Sequence, residues 1–374
     1  MKRKCSLFMV MLLVVMLLIS TAAIPVSAAT TYTPIGGSTT LVKNLVVDAD
    51  ANIPDITFHY SLRRGKAVLA TPSTIEILVS DSGGGTIEEA VFTNADTAGT
   101  ISGLPSDTDP TNPTAGKKYA QKTITITLPD NSFNKPGVYR YEVTEETDPA
   151  LPGVTYDESS VRYLDVFVVA DDDDVLAVSS YVLRDSATTI GIDGAYTTDP
   201  SDKSSGYTNS ITQYDFDFSK TIAGNQGDKN KRFHFTLNIT GTNPGTYPVV
   251  TNDVTGNPTT ITVGANGIAS AEYSLTNNST VQIIGLNAGA ICTVEENAED
   301  YTPTHSLDGA AAIAGNNSGA ITLANSNHSV AFTNTRNGII PTGIIMTIAP
   351  FAIGILVFGA VIIFIIIRRK RHPY

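Results

Sequence analysis

The chain has 374 residues, enough for about two domains, and its charged fraction of 16% is low for a soluble protein. Acidic residues outnumber basic ones 36 to 24, and the net charge of −12 argues against nucleic acid as a partner, because phosphate binding needs clustered cations. Two cysteines exclude a disulfide framework and a multi-cysteine zinc site. Catalytic and phosphate-binding motifs are absent from the sequence, so we predict no metal, no cofactor and no enzyme activity.

The first 28 residues have the composition of a secretory signal peptide. A basic start at residues 2–4 precedes an apolar stretch over residues 7–19, and small side chains ending at Ala28 provide a cleavage site. The apolar stretch is short for a membrane span, which favours cleavage over an uncleaved anchor. We therefore predict a signal peptide over residues 1–28 and a secreted mature chain.

The central part of the chain has the two-residue hydrophobic period of β-strands. Thr123–Leu128 alternates, and two apolar runs around Asp171–Asp174 predict a hairpin whose acidic tip is solvated rather than a calcium site. Cys292 is predicted to be buried on a strand and unreactive. Short strands separated by glycine and proline predict an all-β fold made of β-sandwiches.

Three sequence signals occur twice and in the same order. A strand with one lysine is followed by a strand that ends in paired carboxylates and by a closing strand with an asparagine. The chain therefore divides between Asn209 and Lys220, and we predict one domain over residues 29–210 and a second over 211–337. The signals are Lys43, Glu145-Glu146 and Asn209 in the first copy, and Lys220, Glu295-Glu296 and Asn334 in the second.

These three residue types could form a bond inside each domain. Burial lowers the pKa of an unpartnered lysine, and its neutral amine is a nucleophile. A buried glutamic acid has a raised pKa, so it can polarise an asparagine carbonyl and pass protons to departing ammonia. The product would be a Lys–Asn isopeptide bond. The alternative is an ordinary strand lysine, a turn asparagine and solvated carboxylates.

A second apolar segment, residues 344–367, carries no charge and is long enough to cross a bilayer as a helix. The basic run 368–371 follows at once and by the positive-inside tendency stays in the cytoplasm, which places the preceding chain outside. We therefore predict a transmembrane helix over residues 344–367 within a C-terminal region spanning residues 338–374.

The motif before this segment is Ile340-Pro341-Thr342-Gly343. A polar chain, this motif, an apolar segment and a basic tail resemble the cell-wall sorting signal that sortases cut in Gram-positive bacteria. The motif looks like the Val-Pro-Thr-Gly variant of some pilins. The resemblance implies cleavage between Thr342 and Gly343, with Thr342 as the acyl donor. The alternative is a membrane anchor with a chance Pro-Thr-Gly.

The repeated order of lysine, glutamate and asparagine, together with the sorting signal, resembles the Gram-positive major pilins of the streptococcal T-antigen type. The resemblance implies two tandem immunoglobulin-like (CnaB-type) β-sandwiches, each with an autocatalytic isopeptide bond. The frame Tyr-x-Val-x-Glu selects one carboxylate of each pair, with Cys292 replacing the aromatic residue in the second copy. The matched residues are Lys43, Glu145 and Asn209 in the first domain and Lys220, Glu296 and Asn334 in the second.

The same resemblance implies a pilus shaft subunit on the cell wall of a Gram-positive bacterium, held transiently in the membrane as a precursor. Sortase would join Thr342 to a lysine of another copy or to peptidoglycan. By position, Lys203 is the candidate lysine, with Lys117 and Lys118 in a predicted exposed loop as alternatives. The alternative function is a monomeric wall-anchored adhesin with the same domains.

Overall fold

A computed structural model describes residues 30–96, 116–197, 202–338 and 343–370, and in the last range it describes side chains for residues 351–364. The named elements of the described residues are all β-strands, apart from one C-terminal helix. The predicted all-β class is confirmed. The predicted signal peptide and residues 340–342 of the sorting motif lie outside the described residues, and Gly343 is the first residue of the helix.

Residues 30–211, here called the N-terminal unit, form two large sheets and one small one. The strand orders are β5-β7-β1-β12-β9 and β11-β10-β8-β3, with β4 beside β8 and a separate β2-β6 pair. The strands are β1 (Ile35–Asp48), β2 (Ile56–Phe58), β3 (Tyr60–Arg64), β4 (Ile77–Leu78), β5 (Thr86–Ile87), β6 (Ala90–Phe92), β7 (Lys117–Phe133), β8 (Gly137–Glu145), β9 (Val154–Thr155), β10 (Val161–Ala170), β11 (Leu176–Arg184) and β12 (Gly206–Ile211).

Residues 213–338, the C-terminal unit, form a seven-stranded and a four-stranded sheet. Their orders are β16-β15-β18-β13-β23-β20-β21 and β17-β14-β19-β22. The strands are β13 (Gln213–Ala223), β14 (Phe233–Thr240), β15 (Gly245–Thr251), β16 (Thr260–Val263), β17 (Ala269–Leu275), β18 (Ser279–Asn287), β19 (Ile291–Asn297), β20 (Thr302–Leu307), β21 (Ile313–Ala314), β22 (Ile321–Thr322) and β23 (His328–Thr335).

The first and last long strands of each unit pair in parallel. Strand β1 runs beside β12, and β13 runs beside β23, whereas most of the other pairs in these sheets are antiparallel. This topology brings residues from the two ends of each unit onto adjacent strands, despite their long separation in sequence. The doubled sequence signals therefore correspond to a doubled strand arrangement.

Alternation along β1 and β13 decides which side chains enter the two cores. Leu41 and Leu45 flank Lys43 on the buried face of β1, and Phe218 and Ile222 do the same for Lys220 on β13. Because side chains two residues apart share one face of a strand, each lysine is carried into the core by its apolar neighbours. Each unit has its own apolar cluster.

The two units contact each other directly across a short connection. The Gln213 side chain accepts a hydrogen bond from the Asp48 N–H at 2.9 Å and donates one to the Gly285 carbonyl at 2.8 Å. Gly285 has φ +77°, and a Cβ there would come within 2.4 Å of the Ala51 Cβ. Glycine is therefore required by both the backbone conformation and the close approach.

The predicted aspartate hairpin is confirmed, since β10 and β11 pair in antiparallel register on either side of it. The Asp171 carboxylate accepts the N–H groups of Asp173 and Val175, which closes the turn. The prediction of a loop at Lys117 and Lys118 is wrong. Both residues begin β7 and are half-buried, because β7 extends to pair with the end of β1.

Helix α1 spans Gly343–Lys370, where the sequence predicts a transmembrane helix over residues 344–367. Among the side chains that the structure describes, no helix is both long and apolar enough to cross a membrane. The described side chains of α1 cover residues 351–364, short of the roughly 20 residues that a span needs. The side chains of residues 344–350 and 365–367 of the predicted transmembrane helix lie outside the described residues.

Candidate functional site

The N-terminal unit brings the three predicted residues together in its core. Lys43 lies on β1 and Asn209 on the adjacent parallel strand β12, where Asn209 is opposite Leu45, two residues beyond the lysine. Glu145 ends β8 in the facing sheet. All three residues are at most 1% exposed. We call this set the N-terminal triad.

One carboxylate oxygen joins the N-terminal triad. Lys43 Nζ donates a hydrogen bond to Glu145 Oε1, and Asn209 Nδ2 donates to the same oxygen at 3.1 Å. The Asn209 Oδ1 atom accepts the backbone N–H of Asp157 at 2.9 Å. A backbone N–H can only donate, so this contact and the carboxylate together fix the orientation of the amide.

Aromatic rings enclose the lysine of the N-terminal triad. Lys43 Nζ lies 4.3 Å from the centre of the Phe58 ring and 5.8 Å from that of Tyr207. The Tyr60 hydroxyl donates to Glu145 Oε1 at 3.4 Å. The rings keep water away from the ammonium while their faces attract its charge.

The C-terminal unit repeats the arrangement as a C-terminal triad. Lys220 on β13 and Asn334 on β23 are offset by the same two residues, since Asn334 is opposite Ile222. Glu296 on β19 faces them from the other sheet, with its Oε1 atom 2.5 Å from Lys220 Nζ and 2.8 Å from Asn334 Nδ2. Phe233 takes the place of Phe58, with its ring centre 4.4 Å from the ammonium.

Burial changes the protonation chemistry of both triads. It lowers the pKa of Lys43 and of Lys220 to about 8, although the neighbouring glutamate opposes the shift in each case. Burial also raises the pKa of Glu296, against the opposing effect of Lys220. Near neutral pH, loss of a proton from either lysine therefore costs far less than in water, and the resulting neutral amine is a nucleophile.

Several polar atoms of the triads find no hydrogen-bond partner among the described residues. They are Oε2 of Glu145, Oε2 of Glu296, Oδ1 of Asn334 and Nζ of Lys220, all of them buried. The Lys220 ammonium is in ion-pair contact with Glu296 Oε1, but not in hydrogen-bond geometry. An unpaired buried polar atom costs roughly 1–3 kcal/mol, so the unreacted clusters are unfavourable arrangements. Perturbed and unsatisfied groups of this kind occur most often at functional sites.

Burial distinguishes the selected glutamates from their neighbours. Glu145 and Glu296 are buried, whereas Glu146 and Glu295 are exposed, as the Tyr-x-Val-x-Glu frame predicts. Cys292 is buried on β19 as predicted, and burial raises the pKa of its thiol to about 12. A thiol with such a pKa is almost entirely protonated at neutral pH and therefore a poor nucleophile.

The candidate lysines for linkage between subunits lie away from both triads. Lys203 is exposed, and its backbone forms an isolated bridge with that of Arg184. Lys117 forms an ion pair with Asp48 at 2.5 Å, and both Lys117 and Lys118 are half-buried. Lys203 is therefore the most accessible of the three.

Sequence reasoning missed the contact from Asp157 to Asn209. Asp157 follows β9 in a segment without a counterpart among the repeated signals, so no repeat points to it. Phe58 and Phe233 could be recognised as equivalent from the sequence, because each begins a repeated aromatic strand motif. That motif predicts a strand but gives no indication that its first ring covers the lysine.

Comparison with known proteins gives two family matches. Residues 41–212 match the Spy0128-like isopeptide containing domain, and residues 214–336 match a domain of unknown function, DUF7601. A curated pilin from Streptococcus pyogenes serotype M1 is 26% identical over 366 residues, which cover 93% of this chain and 97% of that protein.

Solved structures of major pilins share the fold. The major pilin from Streptococcus pyogenes is 21% identical, with a TM-score of 0.50 over 81% of this chain and 99% of that chain. A second major pilin protein from the same species is 19% identical, with a TM-score of 0.50 over 80% of this chain and 99% of that chain. These relatives are structural proteins and not enzymes. The predicted resemblance is confirmed, since the chain is similar to streptococcal major pilins in sequence and in fold.

Proposed function

We propose that this protein is the shaft subunit of a covalent pilus on the surface of a Gram-positive cell. In this proposal each unit is a domain that forms one isopeptide bond, between Lys43 and Asn209 and between Lys220 and Asn334. Glu145 and Glu296 are the acids that move the protons. Sortase then links the subunits through Thr342, with peptidoglycan as the final acceptor.

The observation that carries this proposal is the recurrence of one buried geometry. In both units the lysine nitrogen, which attacks, and the asparagine amide nitrogen, which departs, contact the same carboxylate oxygen. That oxygen can take protons from the attacking amine and return them to the departing nitrogen. Fixed placement of the groups supplies the remaining acceleration.

The mass of the secreted chain tests the internal bonds. Recombinant residues 29–337 should be lighter than their sequence by two molecules of ammonia. Glu145→Ala should restore one ammonia and Glu296→Ala the other, and peptide mapping should assign each loss to its own unit. A mass equal to the plain sequence would refute the proposed bonds.

The assembly part of the proposal is supported by the sorting motif and by the pilin relatives. The apolar segment 344–367 would hold the precursor in the membrane until a sortase cysteine attacks the Thr342 carbonyl and releases the C-terminal peptide. The resulting thioester needs an amine, which Lys203 of another copy supplies. This lysine is exposed, whereas both triad lysines are enclosed in their own cores.

Covalent ladders on the cell distinguish a pilus from the monomeric adhesin. Lys203→Ala should abolish the high-mass ladders that resist boiling in detergent, while the two internal bonds and single-subunit wall attachment persist. Lys117→Ala is the matched control and should leave the ladders intact. Wild-type cells with an active sortase and no ladders would favour the adhesin.

A further inference from the structure

We infer that the backbone N–H of Asp157 acts as an oxyanion-hole donor for isopeptide formation in the N-terminal unit, an inference that rests on the proposed function. Its geometric basis is the 2.9 Å hydrogen bond from this N–H to Asn209 Oδ1. That oxygen takes up the negative charge when an amine adds to the amide carbon. A fixed donor at this distance stabilises the developing charge more than it stabilises the neutral amide.

The strand pairing shows how this N–H becomes available. Ser210 pairs with Thr155 at the end of β9, and the chain then leaves the sheet. The N–H of Asp157 is therefore not used in strand pairing and donates to the Asn209 side chain. In the C-terminal unit the corresponding strand β20 does not end. It stays paired with β23 through Thr304, which stands opposite Thr333 where Asp157 would stand.

The consequence appears at the two amide oxygens. Asn209 Oδ1 has the Asp157 donor, whereas Asn334 Oδ1 is buried without a hydrogen-bond partner among the described residues. The two triads thus share the attacking lysine, the proton-carrying glutamate and the asparagine oxygen that takes up the charge. They differ in the backbone donor at that oxygen, which is present in the N-terminal triad.

A polar clamp holds the Asp157 amide in place. The Asp157 carboxylate accepts the Thr208 N–H at 2.9 Å through Oδ2 and the Arg162 guanidinium at 2.7 Å through Oδ1. Arg162 also donates to the Ser159 carbonyl at 2.7 Å, and its guanidinium carbon lies 4.7 Å from the centre of the Tyr207 ring. The side chains of Asp157 and Arg162 are positioning groups, because they act through the backbone donor.

The chemical step balances with the residues present. The lysine ammonium gives a proton to Glu145 Oε1, and the free amine adds to the Asn209 carbonyl carbon, so the carbonyl electron pair moves to Oδ1 beside the Asp157 N–H. The carbon–Nδ2 bond then breaks. The departing nitrogen collects, through Glu145, the two protons that the lysine loses. An ammonium and an amide thus become a secondary amide and an ammonium ion.

Replacing the N–H without changing the side chain tests this role. The full chain is made by cell-free translation with the α-hydroxy-acid analogue of aspartate at position 157, which turns the N–H into an ester oxygen. Samples are quenched in acidic denaturant at increasing times, and peptide mapping follows each cross-link separately. The matched control carries the same ester at the exposed neighbour Glu158.

We expect the Lys43–Asn209 bond to form about 100-fold more slowly or worse in the position-157 ester, the usual effect of losing one oxyanion donor. The Lys220–Asn334 bond in the same molecules should form at the wild-type rate. Asp157→Pro removes the N–H by a second route and should give the same separation. Hydrogen exchange in β8 and β10, compared with Glu145→Ala, verifies that the N-terminal unit is folded.

A folded N-terminal unit that cross-links at the wild-type rate without the Asp157 N–H would overturn the inference and leave the proposed function standing. If wild-type chains form neither bond, the proposed function itself fails. Equal slowing in the Glu158 ester would also overturn the inference, because the effect would then belong to the loop and not to the donor.

Discussion

The two units build the same triad in different surroundings. At matching register positions the N-terminal unit has Tyr60 opposite its glutamate and Tyr207 opposite its lysine. The C-terminal unit has phenylalanines, Phe235 and Phe332, at both positions. The ring contact on the ammonium is kept in both units, whereas the hydroxyl groups are present in one.

The buried charges differ as well. Besides its triad, the N-terminal unit buries Arg140, Arg162, Asp165 and Arg184. Among the described residues of the C-terminal unit, Lys220 and Glu296 are the buried Lys, Arg, Asp and Glu side chains. The comparison teaches that an apolar core with one aligned carboxylate suffices to create the triad geometry, and that the polar network of the N-terminal unit is an addition to it.

The largest expected effect comes from removing either triad glutamate. Each internal bond closes a loop of more than 100 residues, for which chain entropy gives about 5 kcal/mol of stabilisation. Glu145→Ala or Glu296→Ala also leaves a buried lysine unpaired, at a further cost of roughly 3–5 kcal/mol. We expect the free energy of unfolding of the affected unit to fall by the combined amount, measured by denaturant-dependent hydrogen exchange.

Cys292 provides an independent probe of this prediction. Its thiol is buried in the C-terminal unit, so a thiol reagent reaches it when that unit opens. Labelling should accelerate strongly in Glu296→Ala and remain slow in Glu145→Ala. Fast labelling in both variants would mean that the two units unfold together, contrary to the expectation that each triad stabilises its own unit.

A smaller effect should follow from breaking the additional network of the N-terminal unit. Arg140 forms a bidentate pair with Asp165, at 2.7 and 2.8 Å, and both side chains are almost fully buried. Arg140→Ala leaves the buried carboxylate without this cationic partner, although the Tyr196 hydroxyl still donates to it at 3.1 Å. We expect a loss of roughly 3–5 kcal/mol in the unfolding free energy of this unit.

The matched control for Arg140 is Arg232→Ala in the C-terminal unit. Arg232 pairs with Asp253 at 2.8 Å, but its side chain is 34% exposed, so we expect a loss of about 1 kcal/mol or less. The isopeptide bonds should still form in both variants. Equal losses would show that the burial of the first pair has no energetic consequence.

Once cross-linking is blocked, the pH dependence of the unfolding free energy should reveal the lowered pKa of the two triad lysines. In Asn209→Ala and Asn334→Ala the lysine remains a free amine that can titrate, and its folded pKa of about 8 lies below the ordinary 10.5. Between these values the unfolded chain binds more protons, so the unfolding free energy should rise with pH. The rise should reach at most about 3 kcal/mol per lysine, measured by urea titrations.

A further substitution assigns that pH dependence to the lysine. Lys220→Met combined with Asn334→Ala removes the titrating group of the C-terminal unit and should abolish the rise there. A slope that survives this substitution belongs to another residue. The two units should give similar slopes, because burial lowers the pKa of both lysines to about 8.

The smallest effect should come from exchanging the hydroxyl groups. Tyr60 donates a long hydrogen bond of 3.4 Å to Glu145, which favours the charged carboxylate. Tyr60→Phe should therefore let Glu145 accept the lysine proton more readily and speed up bond formation by less than about tenfold. Phe235→Tyr should slow the C-terminal reaction by a similar factor, followed by the same timed mapping. A slower reaction in Tyr60→Phe would instead identify the hydroxyl as a proton relay.

The sequence by itself determined the strand framework and the members of the two triads. Alternation assigns Lys43 and Lys220 to strands, and the repeated Tyr-x-Val-x-Glu frame selects the buried glutamates, because a two-residue period fixes which side chains share a face. The doubled order of lysine, glutamate and asparagine then pairs each residue with its counterpart. These signals are local or repeated, so they survive without knowledge of the packing.

Only the tertiary structure decided how the triads differ. The N–H of Asp157 reaches Asn209 because β9 ends after Thr155, and the length of a strand beside its neighbour depends on the whole sheet. Lys117 begins a strand, and not a loop, because β1 is long enough to pair with it. Both outcomes are set by contacts between residues far apart in the chain, which a local pattern of hydrophobicity does not encode.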